Sequence, residues 1–124
     1  MTTKRILALA LLLSASAPIE ALTQRLSQKY TATFYHPTGN PSACGRTKGA
    51  WGQIAVSRDL RKKYPCGTVV RVILTHPKGG IKSFKAVVWD TTHSRFKNRI
   101  DILVGRREPA MIFGKTTARL QVLK

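Results

Sequence analysis

Carboxylates are scarce in this chain. Only Glu20, Asp59, Asp90, Asp101 and Glu108 carry one, against 22 lysines and arginines, so any acid–base reaction has few carriers to choose from. Such a reaction needs a carboxyl group whose surroundings move its pKa toward the working pH. Asp59 lies among Arg58, Arg61, Lys62 and Lys63 and reads as a solvated, charge-balanced turn residue. Glu108 stands where a helix is expected to begin, and the helix dipole accounts for an acid there. Asp90 and Asp101 are different. Each touches an apolar strand, Val87-Val88-Trp89-Asp90 and Arg99-Ile100-Asp101-Ile102. Strand alternation sends Asp101 to the face opposite Ile100 and Ile102. A carboxylate in such a strand is costly unless hydrogen-bonded or protonated. Two readings follow: a catalytic pair, or two acids that hold the intervening loop by accepting backbone N–H bonds.

Other reactive side chains are few. Cys44 and Cys66 are the only cysteines and have no CxxC or His-rich neighbour, so a disulfide is favoured over a metal site or a nucleophilic thiol. Closing that loop would contribute roughly 3 kcal/mol on a chain-entropy account. His36 and His76 each adjoin a proline and read as ordinary turn residues. His93 sits between the two aspartates, either as an exposed loop residue or as a second proton carrier. Tyr35 and Trp51, near loops, are candidates for a stacking surface that meets a ligand; Trp89, within a strand, is equally suited to the core. No metal or cofactor is expected.

The elements that must position these groups are mostly strands. Tyr30–His36, Ile54–Val56, Thr68–Thr75, Ile81–Trp89, Arg99–Val104 and Arg119–Leu123 are rich in β-branched and aromatic residues and bounded by Gly and Pro. Pro77-Lys78-Gly79-Gly80 predicts a hairpin turn between the third and fourth. Asp59–Lys63 reads as a charged turn, and Glu108–Gly114 as one short helix with Pro109 in its first turn and Gly114 at its exit. Six short strands, one helix and long glycine-rich loops argue for an all-β closed barrel rather than a parallel α/β sheet.

The ends and the charge bound the setting. Lys4 and Arg5 precede an apolar run from Ile6 to Leu13 and the small residues Ser14–Ala17, the layout of a secretory signal peptide over residues 1–21. The run is too short to span a bilayer. Residues 22–29 read as a linker and 30–124 as the domain, with no transmembrane helix expected in the mature chain. The formal net charge is +17, which favours polyanionic surroundings. Nucleic acid, anionic lipid and an anionic cell-wall polymer would all qualify, and export weakens the nucleic-acid reading, so charge names only a class of partner. A secreted, periplasmic or extracellular monomer is the expected form.

Three blocks carry a resemblance: Thr31-Ala-Thr-Phe-Tyr35; Ile54-Ala-Val-Ser57 with Pro65-Cys-Gly-Thr-Val-Val-Arg-Val72; and Trp89-Asp90-Thr91 followed by Asn98-Arg-Ile-Asp101-Ile102. Over Thr31–Leu123 the chain resembles the double-psi β-barrel domains of bacterial cell-wall lytic transglycosylases, above all the three-aspartate (3D) domains and the barrel of membrane-bound lytic transglycosylase A. The rare-lipoprotein-A and barwin/expansin groups are more distant. The resemblance implies a six-stranded double-psi barrel that cleaves peptidoglycan between N-acetylmuramic acid and N-acetylglucosamine without water, leaving a 1,6-anhydro end. It implies Asp101 as general acid and Asp90 as its support, with the roles exchanged in some related groups. Tyr35, Trp51, Ser57, Thr91 and His93 are the candidate substrate-binding residues. Two positions depart from the pattern. Ser57 stands where the third aspartate is expected, and His93 and Arg95 replace glycines in the turn after Asp90. Those departures favour the alternative, a non-catalytic module that binds cell-wall polysaccharide, whereas retention of both spaced aspartates favours the enzyme.

Overall fold

Alternation is visible in most strands of the computed structural model, which describes residues 28–106 and 114–124, although all four residues of Gln53–Val56 are buried. Ala32, Ile54, Val70, Val72, Ile100, Ile102 and Ala118 are fully buried, and their strand neighbours point outward. The strands are β1 (Lys29–Tyr35), β2 (Gln53–Val56), β3 (Val69–Lys78), β4 (Ile81–Thr91), β5 (Arg99–Leu103) and β6 (Thr116–Val122), with a 3-10 turn at Arg58–Leu60. They close into a barrel in the order β1-β5-β2-β4-β3-β6. The pairs β1/β5 and β2/β4 are parallel and the other neighbours antiparallel. This is the expected all-β, six-stranded double-psi barrel. Closure leaves no open edge for unwanted strand pairing.

Inside, the β-branched side chains of opposite walls meet in one cluster. Tyr30 and Tyr64 are both buried and join through their hydroxyls at 2.9 Å, so neither buries an unpaired polar tip. Where the structure departs from the sequence reading, the cause is local. β3 continues through Pro77 to Lys78, and the turn shrinks to Gly79-Gly80 with φ of 55° and 77°. Two residues at positive φ suit a tight hairpin, and a register shift between Ile73 and Lys78 accommodates the proline, which has no N–H to give. β1 begins one residue earlier than expected, at Lys29, and β6 three residues earlier, at Thr116. Of the expected helix over 108–114 only Gly114 is described; the proposed signal peptide lies wholly outside the described residues, and all but Gln28 and Lys29 of the linker does too. Among the described residues no helix is long and apolar enough to cross a membrane.

Candidate active site

Register brings the two aspartates together. On β2, Ala55 pairs with Asp101 of β5 on one side and Asp90 of β4 on the other. Thr33 of β1 pairs with Asp101. Residues opposite one another in a ladder face the same way, so Thr33, Asp101, Ala55 and Asp90 form one row on the outer wall. Asp101 alternates with the buried Ile100 and Ile102, which confirms its outward direction. A bulge sets the end of the row: Ile54 faces Val88 but Ala55 faces Asp90, leaving Trp89 as the extra residue on β4. Ala55, between the two acids, is itself buried.

The acids have different surroundings. Burial pushes the Asp101 carboxyl upward, and Asp90 adds to this; the Thr33 hydroxyl and the Arg99 charge oppose it without reversing it. Thr33 Oγ1 donates to Asp101 Oδ1 at 3.0 Å, while Arg99 Nε donates to the same Oγ1 at 3.0 Å. The direction is fixed, since a guanidinium only donates and a hydroxyl has a single proton. When Asp101 is protonated, its proton therefore belongs on Oδ2. Arg99 is itself held by stacking on Phe96, 3.7 Å from the ring centroid. Asp90, by contrast, holds backbone. Its Oδ1 accepts the N–H groups of Ala43 (3.0 Å) and Thr91 (2.8 Å).

The loop over Asp90 is tethered by the bridge between Cys44 and Cys66, whose Cα atoms are 5.8 Å apart. Beneath that loop lies Trp89. Its indole N–H donates to the Arg46 carbonyl at 2.8 Å, Lys48 Nζ sits 4.3 Å from its ring centroid, and Gly45 crosses its face. A Cβ at Gly45 would stand 3.4 Å from the indole, at a φ of +133° that other residues rarely adopt. A cleft of about 370 Å³ opens in the same loop, between Pro37, Gly39, Asn40, Pro41, Arg46 and Thr47, and not above the row of Asp101 and Asp90.

The remaining candidates divide. Tyr35 is on the outer face with the aspartates: its hydroxyl accepts from Gln53 Nε2 at 2.6 Å, and burial, reinforced by Asp90 and Asp101 and opposed by Gln53, pushes its pKa up. Trp51 packs on the core edge instead, its ring 5.2 Å from Phe84 and 6.0 Å from Phe34, and a φ of 60° is held by that packing and by its N–H to Leu103 O at 2.7 Å. Ser57 is fully buried, and its Oγ accepts the Arg99 N–H at 3.0 Å. Thr91 is opposite the inward-facing Val56 and serves Asp90 through its backbone. His93 is exposed; its Nδ1 accepts the Arg95 N–H at 3.1 Å, and its ring meets Phe96 edge-on. Asp59 does more than sit in a turn. Its Oδ2 accepts the N–H of Asn98, at φ 54°, where β5 begins. Burial opposes its ionisation, but the Ser57 hydroxyl, two backbone N–H groups and Lys97 together outweigh that and hold its pKa below the usual value.

Thr33, Gln53 and Arg99 were not singled out from the sequence. Their signal was alternation alone, because each is an outward residue on a strand whose partner cannot be named without register. Among the described residues, no cluster of three His, Cys, Asp or Glu could hold a metal.

Among solved structures the chain is similar to MltA from E. coli. One such structure matches at 16% identity and a TM-score of 0.46, over 68% of this chain and 28% of that one. A second, described as revealing a unique lytic transglycosylase fold, matches at 15% identity and a TM-score of 0.47, over 71% and 30%. The chain thus spans less than a third of the length of those proteins. No family model and no curated protein matches it.

Proposed function

We propose that this barrel is a peptidoglycan lytic transglycosylase with Asp101 as its acid and base. The observation that carries the reading is the outer-wall row in which Asp101, raised by burial, stands level with Asp90 across Ala55. The protonated Oδ2 of Asp101 gives its proton to the glycosidic oxygen as the C1–O bond breaks. As carboxylate, Asp101 then takes the proton of the sugar's own 6-hydroxyl while O6 bonds to C1. The acid is regenerated, an anhydro ring closes, and no water is consumed. Hydrolytic glycosidases need a second carboxylate to serve the water or to form a covalent intermediate; here Asp90 only raises Asp101 and fixes the loop above it. Tyr35 extends the polar floor beside them.

One observation favours the second reading, a non-catalytic wall-binding module. Asp90 spends Oδ1 on two backbone N–H bonds, as a purely structural carboxylate would. Incubation with purified peptidoglycan at several pH values separates the two. Soluble anhydro-muropeptides are expected from the wild type and none from Asp101→Asn. Pull-down on sacculi with no release at any pH would leave only the binding module.

A further inference from the structure

The turn that puts His93 and Arg95 between the two aspartates also carries Phe96, and this ring begins a chain of contacts that ends on Asp101. Phe96 is half-buried, and its N–H donates to the His93 carbonyl at 3.0 Å, which fixes the turn. The Arg99 guanidinium lies 3.7 Å from the ring centroid, closer than that of Arg95 at 4.8 Å. Arg99 is gripped at its backbone as well. Its N–H donates to Ser57 Oγ at 3.0 Å, and its carbonyl accepts the Ser57 N–H at 2.9 Å. Arg99 Nε then donates to Thr33 Oγ1, and Thr33 Oγ1 donates to Asp101 Oδ1, both at 3.0 Å. Arg99 and Asp101 are two positions apart on β5 and share a face. Thr33 is opposite Asp101 in the register, which brings its hydroxyl within reach of both.

A long arginine side chain loses much rotamer freedom when its head is held. One hydrogen bond to a hydroxyl restrains a half-buried guanidinium weakly, and an aromatic face supplies a second restraint. What Arg99 restrains matters to the acid. A threonine hydroxyl can rotate, and with no donor beside it Thr33 Oγ1 can accept a proton from Asp101 Oδ1 instead of giving one. The acidic proton would then be tied to Thr33. We propose that Phe96 and Arg99 are positioning residues for Asp101: the ring holds the guanidinium, the guanidinium orients the Thr33 hydroxyl, and the hydroxyl keeps the acidic proton on Oδ2, where a glycan oxygen can take it. The use of that proton rests on the transglycosylase reading, whereas the clamp itself does not. It also gives a purpose to a turn that lacks the expected glycines, since a glycine turn has no ring to offer.

The charged and titratable groups that face Asp101 are Arg99 on its own strand, Asp90 on β4 and Tyr35 on β1; Arg99 favours its carboxylate and Asp90 opposes it. The test is therefore an NMR pH titration of the Asp101 side-chain carboxyl carbon in the full chain without substrate, beside turnover of purified peptidoglycan. Phe96→Leu stays apolar but removes the aromatic face. It should move the Asp101 midpoint upward and lower kcat by up to about 100-fold, with KM and Tm little changed. Phe96→Trp, a better face for a guanidinium, should bring both back toward the wild type. Arg99→Gln should move the midpoint upward at least as far as Phe96→Leu does. An unmoved midpoint in Phe96→Leu would overturn the proposal, as would equal shifts in the Leu and Trp variants. A lowered Tm with an unmoved midpoint would make Phe96 a packing residue only. A wild type that releases no anhydro-muropeptides, while Phe96→Leu still shifts the midpoint, would sink the transglycosylase reading and leave the clamp standing; an active wild type with no such shift would do the reverse.

Discussion

At the scale of single residues, the centre of interest is the contrast between Asp101 and Asp90. Both carboxylates are on one row, yet Asp101 is bonded by a side chain and Asp90 by backbone. That contrast makes Asp101 measurable. Because burial raises its folded pKa above the ordinary 3.8, the stability it lends is complete below that pH and is lost as pH rises through the folded value. Asp101→Asn should therefore raise Tm at pH 7, and the gain should vanish near pH 3; equal gains at both would contradict the burial. Thr33 works the other way, favouring the carboxylate. With Thr33→Val the carboxyl loses its donor, and the high-pH limb of any activity profile should move to higher pH. A lowered kcat with an unmoved limb would instead mark Thr33 as a packing residue.

At the scale of elements, the long loop between β1 and β2 is organised by what lies under it. The Cys44–Cys66 bridge, the Trp89 ring beneath Gly45 and the Ala43 N–H on Asp90 act on one stretch of chain. Replacing both cysteines by serine should cost roughly 3 kcal/mol in urea unfolding. It should also release Ala43, detectable as faster hydrogen exchange at that amide, with the exchange of Ile100 and Ile102 slowed as before by the core. The sequence favoured the bridge but could not place it. Nothing in the spacing of Cys44 and Cys66 says that the loop they close carries a hydrogen bond to an aspartate 47 positions on. Trp51 and Trp89 were harder still. The loop tryptophan packs against the core edge and the strand tryptophan packs under a loop, because the bulge at Trp89 changes which way that strand presents its residues.

At the scale of the molecule, charge and topology set the terms. A net charge of +17 on so small a chain repels itself. Screening should relieve it, so Tm is expected to rise between about 20 and 200 mM salt, where the Debye length falls from over 20 Å to under 10 Å. A salt-independent Tm would mean that bound anions already neutralise the surface. Strand order also gathers Asp90 of β4 and Asp101 of β5 on either side of β2, away from the β3/β6 seam.

The sequence alone determined the strands, the all-β class, the few carboxylates available for chemistry and the outward direction of Asp101. These are local properties, set by alternation, propensity and composition. The row Thr33–Asp101–Ala55–Asp90 was decided only by the tertiary structure. Pairing between strands far apart in the chain is fixed by closure of the barrel and by one bulge, and neither leaves a mark in local sequence. The same holds for Ser57. Its place in the family pattern suggested contact with substrate, but barrel closure buries it and turns its hydroxyl toward the backbone of Arg99.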